Sequence, residues 1–147
     1  MPIEIIYISS EATKDLRQLV LRKGKPRHTC DWEGDKLKST KHIGAFINSK
    51  CVGILSLFEN KSNAIREQNQ YQLRGLAVHP DHQGKGIGRK LIAFSEYELN
   101  QSGIEILWCN ARVSASEFYK KLNFEIISDQ FHIPNVGSHY VMSKKLA

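Results

Sequence analysis

Residues 83–89, Gln83-Gly84-Lys85-Gly86-Ile87-Gly88-Arg89, set three glycines at alternate positions between an apolar strand and a helical run. Alternating glycines let several backbone amides turn toward one point without Cβ atoms in the way, and a helix N-terminus adds a dipole that favours anions. The chemistry this predicts is phosphate binding. A dinucleotide-binding turn requires G-x-G-x-x-G and a P-loop requires G-x-x-x-x-G-K-[ST]; neither string occurs, and Arg89 follows Gly88 where a P-loop carries lysine. The competing reading is a tight strand-to-helix turn, rich in glycine for steric reasons alone.

The elements that must position this loop are legible from periodicity. Residues 70–78 form a central strand, with Tyr71, Leu73, Gly75 and Ala77 on one face and Gln72, Arg74, Leu76 and Val78 on the other. The helix after the loop carries Ile87, Leu91, Ile92 and Leu99 on one stripe. It crosses over to an apolar strand at 104–109, which suits a buried parallel neighbour of the central strand. Upstream, residues 3–8 read as a first strand, and Ser9 or Ser10 caps a helix whose face is Leu16, Leu19 and Val20, closed by Arg22-Lys23-Gly24. Residues 25–41 lack periodicity and read as a loop or a second irregular helix. Segments 42–47 and 51–58 form a hairpin around Asn48-Ser49-Lys50, and polar residues 59–69 lead onward. Downstream, Ser114 and Glu117 have capping-box spacing for a short helix over about 115–122, Asn123 suits the left-handed position after it, and strands at 124–131 and 138–146 complete a mixed sheet with helices on its faces.

The string from Gln83 to Gly88, preceded by Ala77, Val78 and Pro80, resembles the acetyl-coenzyme A loop of the GNAT superfamily of N-acetyltransferases, V-x-P-x-x-[QR]-G-x-G-x-[GA], at every fixed position. A second stretch, from Asn110 to Phe124, resembles the same superfamily, where a strand ends in N-A-x and a short helix carries F-Y-x-K-x-G-F. Here the helix reads Phe118-Tyr119-Lys120-Lys121-Leu122-Asn123-Phe124, and its departure is Asn123 for glycine, a mild one because Asn also tolerates left-handed geometry. The two motifs span residues 70–127, and the first 69 residues match only in element order.

The resemblance implies an α/β (α+β) fold: a mixed, mostly antiparallel central sheet of about seven strands, helices on both faces, and strands splayed at the cofactor site. It implies a single N-acetyltransferase domain over residues 1–147. This would be an acyltransferase that moves an acetyl group from acetyl-CoA, its cosubstrate, to a primary amine of a small molecule or protein by direct attack, with no metal. The main chain of Leu76, Ala77 and Val78 would pair with the pantetheine arm like an added strand. The amides of Gln83, Gly84, Lys85, Gly86, Ile87 and Gly88 would hold the pyrophosphate, with Lys85 or Arg89 adding charge, and Asn110 would hydrogen-bond the cofactor arm. Tyr119 falls where the superfamily often places a general acid. The segment between the first two strands shapes the acceptor pocket in that fold, which brings Arg27, His28, Cys30, Asp31, Trp32 and Glu33 forward as substrate-facing residues, against the equal reading of a solvent-exposed connection.

Acetyl transfer needs two proton movements: an amine with pKa near 10 must lose a proton, and a departing thiolate, whose thiol titrates near 8.5, gains one. The superfamily often uses a carboxylate on the central strand as base, yet Gln70, Tyr71, Gln72 and Arg74 supply none. His139, Glu33, Asp31, Glu59 or a chain of waters then remain. Imidazole titrates near the working pH, which favours His139, although a lone histidine is more often structural. The missing carboxylate also suits an alternative function, a noncatalytic acyl-coenzyme A-binding sensor or regulatory domain.

Composition narrows the field further. The chain has 147 residues, enough for one sizeable core, with 41% hydrophobic and 24% charged residues. No apolar run approaches the roughly 18 residues of a membrane span, and the apolar N-terminal run lacks the basic flank and cleavage site of a signal peptide, so the expected address is cytoplasmic. Cys30, Cys51 and Cys109 are odd in number and lack C-x-x-C spacing, which argues for reduced thiols over disulfides or zinc. The net charge of +6 comes from scattered residues without aromatic interleaving, so nucleic acid is not an expected partner. A polyanionic cofactor accounts for part of the excess, and a homodimer is left open.

Overall fold

The structure, a computed structural model, describes residues 2–146. The chain divides into two compact units, Met1–Phe58 with Leu73–Glu96, and Glu59–Gln72 with Tyr97–Ala147. Among the described residues no helix is long and apolar enough to cross a membrane.

The first unit contains β1 (Glu4–Ile8), β2 (Lys41–Ile47), β3 (Lys50–Phe58) and the second half of β4 (Gln70–Val78), hydrogen-bonded in that order. β1 and β3 both run antiparallel to β2. The β2–β3 hairpin turns on Asn48 and Ser49, whose φ values of 49° and 67° match the two-residue turn that fits strand twist. Ile43, Val52, Ile54, Leu55 and Leu57 are fully buried here, joined by Ile87, Leu91 and Ile92 from α2 (Ile87–Gln101). The expected stripe of α2 is thus the buried one.

The first helix departs from expectation. It is a 3-10 turn at Glu11–Thr13, one α turn, α1 (Lys14–Leu16), and a π turn at Arg17–Leu21. Ser9 caps it, its hydroxyl accepting from the Ala12 amide at 3.2 Å. The wider π turn shifts the inward face, so Arg17 is fully buried while Leu19 is 43% exposed. Residues between this helix and β2 contain one short 3-10 helix, Arg27–Cys30.

The second unit begins with the linker 59–69 and the start of β4, whose buried glutamines fasten that linker. Gln70 accepts from the Ser62 amide at 2.8 Å and donates to the Glu67 carbonyl at 2.7 Å, and Gln72 accepts from Asn60 at 2.8 Å. β5 (Ile106–Arg112) runs parallel to β4 and antiparallel to β8 (Gly137–Lys145), which also pairs β6 (Glu125–Ile126) and β7 (Phe131–Ile133). With β4 shared, the sheet has eight strands in the order β1-β2-β3-β4-β5-β8-β6, with β7 beside β8. The expected two final strands are three, because Asn135 and Gly137, at φ 64° and 123°, turn residues 131–145 into a hairpin of their own. β5 starts two residues later than expected. The capping box at Ser114 and Glu117 does not form: a 3-10 turn at Val113–Ala115 leads into α3 (Ser116–Lys121), and Ser116 donates back to the Val113 carbonyl at 2.8 Å. Asn123 is left-handed as expected, at φ 71°.

Candidate functional site

In the first unit β4 runs into a loop that the sequence ties down at both ends. His79 donates its amide to the Val52 carbonyl at 2.8 Å and accepts from the Asp81 amide on Nδ1 at 3.1 Å, and Gln83 donates back to the Val78 carbonyl at 3.0 Å. Gly84 and Gly86 then take φ values of 78° and 79°. A Cβ at either would meet nothing within 4 Å, so these glycines are required by the backbone conformation and not by neighbours. Lys90 is the first helical residue whose amide turns back on the loop, to the Gly86 carbonyl at 3.1 Å. The amides of Ile87, Gly88 and Arg89 therefore make up the open first turn of a 15-residue helix. Ile87 is 1% exposed and anchors that turn, while Gln83, Gly84, Lys85, Gly86 and Arg89 are exposed. A strand end, two left-handed glycines, open amides and two cations beside them fit a pyrophosphate.

The parallel ladder between β4 and β5 is short, Gln70↔Ile106 to Gln72↔Trp108. Leu76, Ala77 and Val78 lie beyond it on β4; Ala77 is buried, and Leu76 and Val78 are half-buried. In the second unit, Asn110 lies two residues past the end of that ladder, exposed and opposite Val141 of β8.

Tyr119 is 8% exposed, with its ring held edge-on between Phe118 at 5.1 Å and Phe124 at 5.4 Å. Burial, then the nearby Cys109, pushes its phenol far above the ordinary value, so it stays protonated. Its hydroxyl has no hydrogen-bond partner among the described residues. Burial likewise pushes the Cys109 thiol up to about 12, which makes it inert. His139 is 3% exposed, stacked on Phe131 at 5.9 Å, with Nδ1 2.8 Å from the Gly137 carbonyl. A carbonyl only accepts, so the neutral ring carries its proton on Nδ1 and leaves the Nε2 lone pair as a proton acceptor.

The other base candidates stand apart from this. Asp31 pairs Lys14, whose hydrogen bond holds its carboxyl below the usual range. Glu33 and Glu59 are exposed. Of the residues between the first two strands, Cys30 is fully buried, Arg27 pairs Asp15 at 2.8 Å, and His28 is exposed. Among the described residues no group of three or more His, Cys, Asp or Glu is placed to hold a metal ion.

Two features escaped sequence reasoning. Gly75, within β4, has φ 68°, and a Cβ there would lie 2.7 Å from Cζ3 of Trp32, so the strand needs glycine at this position to seat the indole. A glycine inside a strand pattern was the available signal. The second is a closed polar network of Arg17, Asp35, His42 and Ser56. Arg17 donates to Ser56 Oγ at 3.0 Å, His42 Nδ1 lies 2.6 Å from that oxygen, and His42 Nε2 donates to the Asp35 carbonyl at 2.8 Å. It has the residue types of a nucleophilic triad, yet Ser56 is fully buried and no substrate reaches it.

Residues 38–126, more than half of the chain, match the acetyltransferase (GNAT) domain family. The chain is 31% identical over 144 residues to the uncharacterised N-acetyltransferase YitI of Bacillus subtilis strain 168, covering 98% of this chain and 97% of that protein. A crystal structure from Lactobacillus plantarum superposes with a TM-score of 0.81 at 17% identity, covering both chains entirely. An aminoglycoside 6'-N-acetyltransferase complexed with coenzyme A superposes with a TM-score of 0.78 at 15% identity, covering 98% of this chain and 97% of that one. The chain therefore belongs to the GNAT acetyltransferase family and is an acetyl-coenzyme A-dependent N-acetyltransferase.

Proposed function

We propose that the chain, acting as one cytoplasmic N-acetyltransferase domain, acetylates a primary amine of a small molecule or protein and uses its own residues in the following roles. The main chain of Leu76, Ala77 and Val78 pairs the pantetheine arm, the amides of Gln83, Gly84, Lys85, Gly86, Ile87 and Gly88 hold the pyrophosphate with Lys85 and Arg89 beside it, and Asn110 hydrogen-bonds the arm. The observation that carries this reading is the pair of left-handed, open glycines, Gly84 and Gly86, at the exposed first turn of α2. The three cysteines are free thiols, in keeping with a reducing compartment.

Bound acetyl-CoA supplies an acyl group on a thiol that leaves readily. Tyr119, held protonated by its burial, donates its phenolic proton toward the departing sulfur. His139 Nε2 takes the proton that the amine must lose. A panel of amines assayed for coenzyme A release, alongside calorimetric titration of acetyl-CoA, tests this reading: release with at least one amine supports it, and cofactor binding without turnover on any amine favours a sensor.

A further inference from the structure

The half-buried indole of Trp32 gathers three guanidinium groups in the first unit. The Cζ atoms of Arg17, Arg74 and Arg22 lie 3.7, 5.0 and 5.3 Å from its ring centroid. Asp35 is taken by Arg17 through hydrogen bonds of 2.7 and 3.0 Å. Among the described residues neither Arg22 nor Arg74 pairs a carboxylate. Arg22 donates only to the Leu21 carbonyl, at 3.1 Å, and Arg74 lies between the Trp32 and Phe58 rings, 4.9 Å from the latter. Both are half-buried, and Arg17 Nε is buried without a partner. Burial, then the charge of Arg17, disfavours the Arg74 cation; the Asp35 carboxylate opposes this in part, and Arg22 adds to it. Like charges held together partly out of water are costly until an anion joins them, and a guanidinium fork matches a carboxylate on two hydrogen bonds. The left-handed Gly75, whose missing Cβ leaves room for the Trp32 indole, lies next to Arg74 on β4.

We propose that Arg74, with Arg22 beside it and Trp32 as their platform, binds a carboxylate of the acceptor, so that the substrate class is small amines carrying their own carboxylate, such as amino acids. This rests on the reading of the chain as an N-acetyltransferase whose acceptor site is shaped by the segment between the first two strands. Arg74 is two residues before Leu76, the start of the segment assigned to the cofactor arm, so an anchored carboxylate leaves the amine to extend along β4 toward the thioester. In the reaction the amine nitrogen bonds the acetyl carbonyl carbon, the carbon–sulfur bond breaks with its electron pair on sulfur, the nitrogen gives up one proton and the sulfur gains one. The carboxylate is unchanged. Polycationic amines would meet two guanidinium groups that pair no carboxylate, and we expect them to be poor substrates.

The test pairs each proteinogenic amino acid other than aspartate and glutamate, whose decarboxylation products keep a carboxylate, with its decarboxylated amine and adds kanamycin as a polycation. Coenzyme A release gives KM for each, and calorimetric titration into the protein saturated with coenzyme A gives Kd without turnover. The expected result is a preference of about tenfold or more for carboxylate-bearing members, lost in Arg74→Gln, partly kept in Arg74→Lys and reduced in Arg22→Gln, the size expected for a charged hydrogen bond. Circular dichroism and acetyl-CoA binding establish that the variants are folded. The proposal is overturned if decarboxylated amines or kanamycin serve equally well, if the preference survives in folded Arg74→Gln, or if no carboxylate-bearing member binds. Acetyl-CoA binding in the same titrations separates the two levels: retained binding leaves the transferase reading standing when the anion site fails, and absent binding removes both.

Discussion

Arg17 and Asp35 meet in the interior of the first unit as a two-pronged ion pair, Nη1 to Oδ2 at 2.7 Å and Nη2 to Oδ1 at 3.0 Å, with both side chains almost out of solvent. Asp35 also accepts from the Trp32 amide at 2.9 Å, and Arg17 donates to the Cys30 carbonyl at 2.9 Å, so the pair fastens the segment before β2 onto the π turn. Burial alone would raise the Asp35 carboxyl; Arg17, the Trp32 amide and the charge nearby outweigh it and hold the carboxyl below the usual range.

Removing one member of such a pair strands the other charge in a poorly solvated place, which costs roughly 3–5 kcal/mol. Asp35→Ala is therefore expected to lower the urea midpoint by that equivalent. A loss under about 1 kcal/mol, the worth of an exposed pair, would show that the interior here is wetter than the geometry implies.

His42 sets an acid limit on stability. Burial is the main influence lowering its pKa; the hydrogen bond to Asp35 opposes that, and the charge of Arg17 reinforces it. A histidine whose folded pKa lies below its unfolded value of about 6.5 takes a proton more readily when unfolded. The stability it gives is complete above that pH and declines as the pH falls below it, by up to about 1.4 kcal/mol per pH unit. Urea unfolding at a series of pH values should show this decline in the wild type and a flatter profile in His42→Gln between pH 6.5 and 5. Parallel profiles would assign the decline to other groups.

Gly86 offers a separation of binding from folding. Left-handed backbone costs an ordinary residue about 1–2 kcal/mol, and more with β-branching, yet a side chain there touches nothing in the protein. Gly86→Val should remain folded, with acetyl-CoA affinity by calorimetry weakened about tenfold or more. Wild-type affinity in the folded variant would place the phosphate cradle elsewhere.

Tyr119→Phe keeps the ring between Phe118 and Phe124 and removes only the proton donor. Since the hydroxyl has no partner among the described residues, its loss leaves no stranded polar group and the melting temperature should hardly move. With chemistry limiting, kcat should fall by roughly 10²-fold while acetyl-CoA binding is unchanged. Turnover at the wild-type rate would leave protonation of the thiolate to water.

The conformation of the glycine loop was legible in the chain because its cause is local. Gly84 and Gly86 state their left-handed conformations through residue type alone, as do Gly24 in the turn after the first helix and Asn123 ending α3, and the stripe from Ile87 to Leu99 needs only helical period. The motif around these residues carried the cofactor and the family with it. What the tertiary structure decided depends on partners far along the chain. Arg17 is buried because Asp35, 18 residues on, and Ser56, 39 residues on, receive its guanidinium. A helical pattern that marks Leu19 as apolar cannot register that, since a charge enters a core only where tertiary contacts return the hydrogen bonds it loses from water. The close approach of Gly75 to Trp32, the three guanidinium groups on Trp32 and the proton position on His139 follow from the same rule: each is fixed by a neighbour that periodicity does not name.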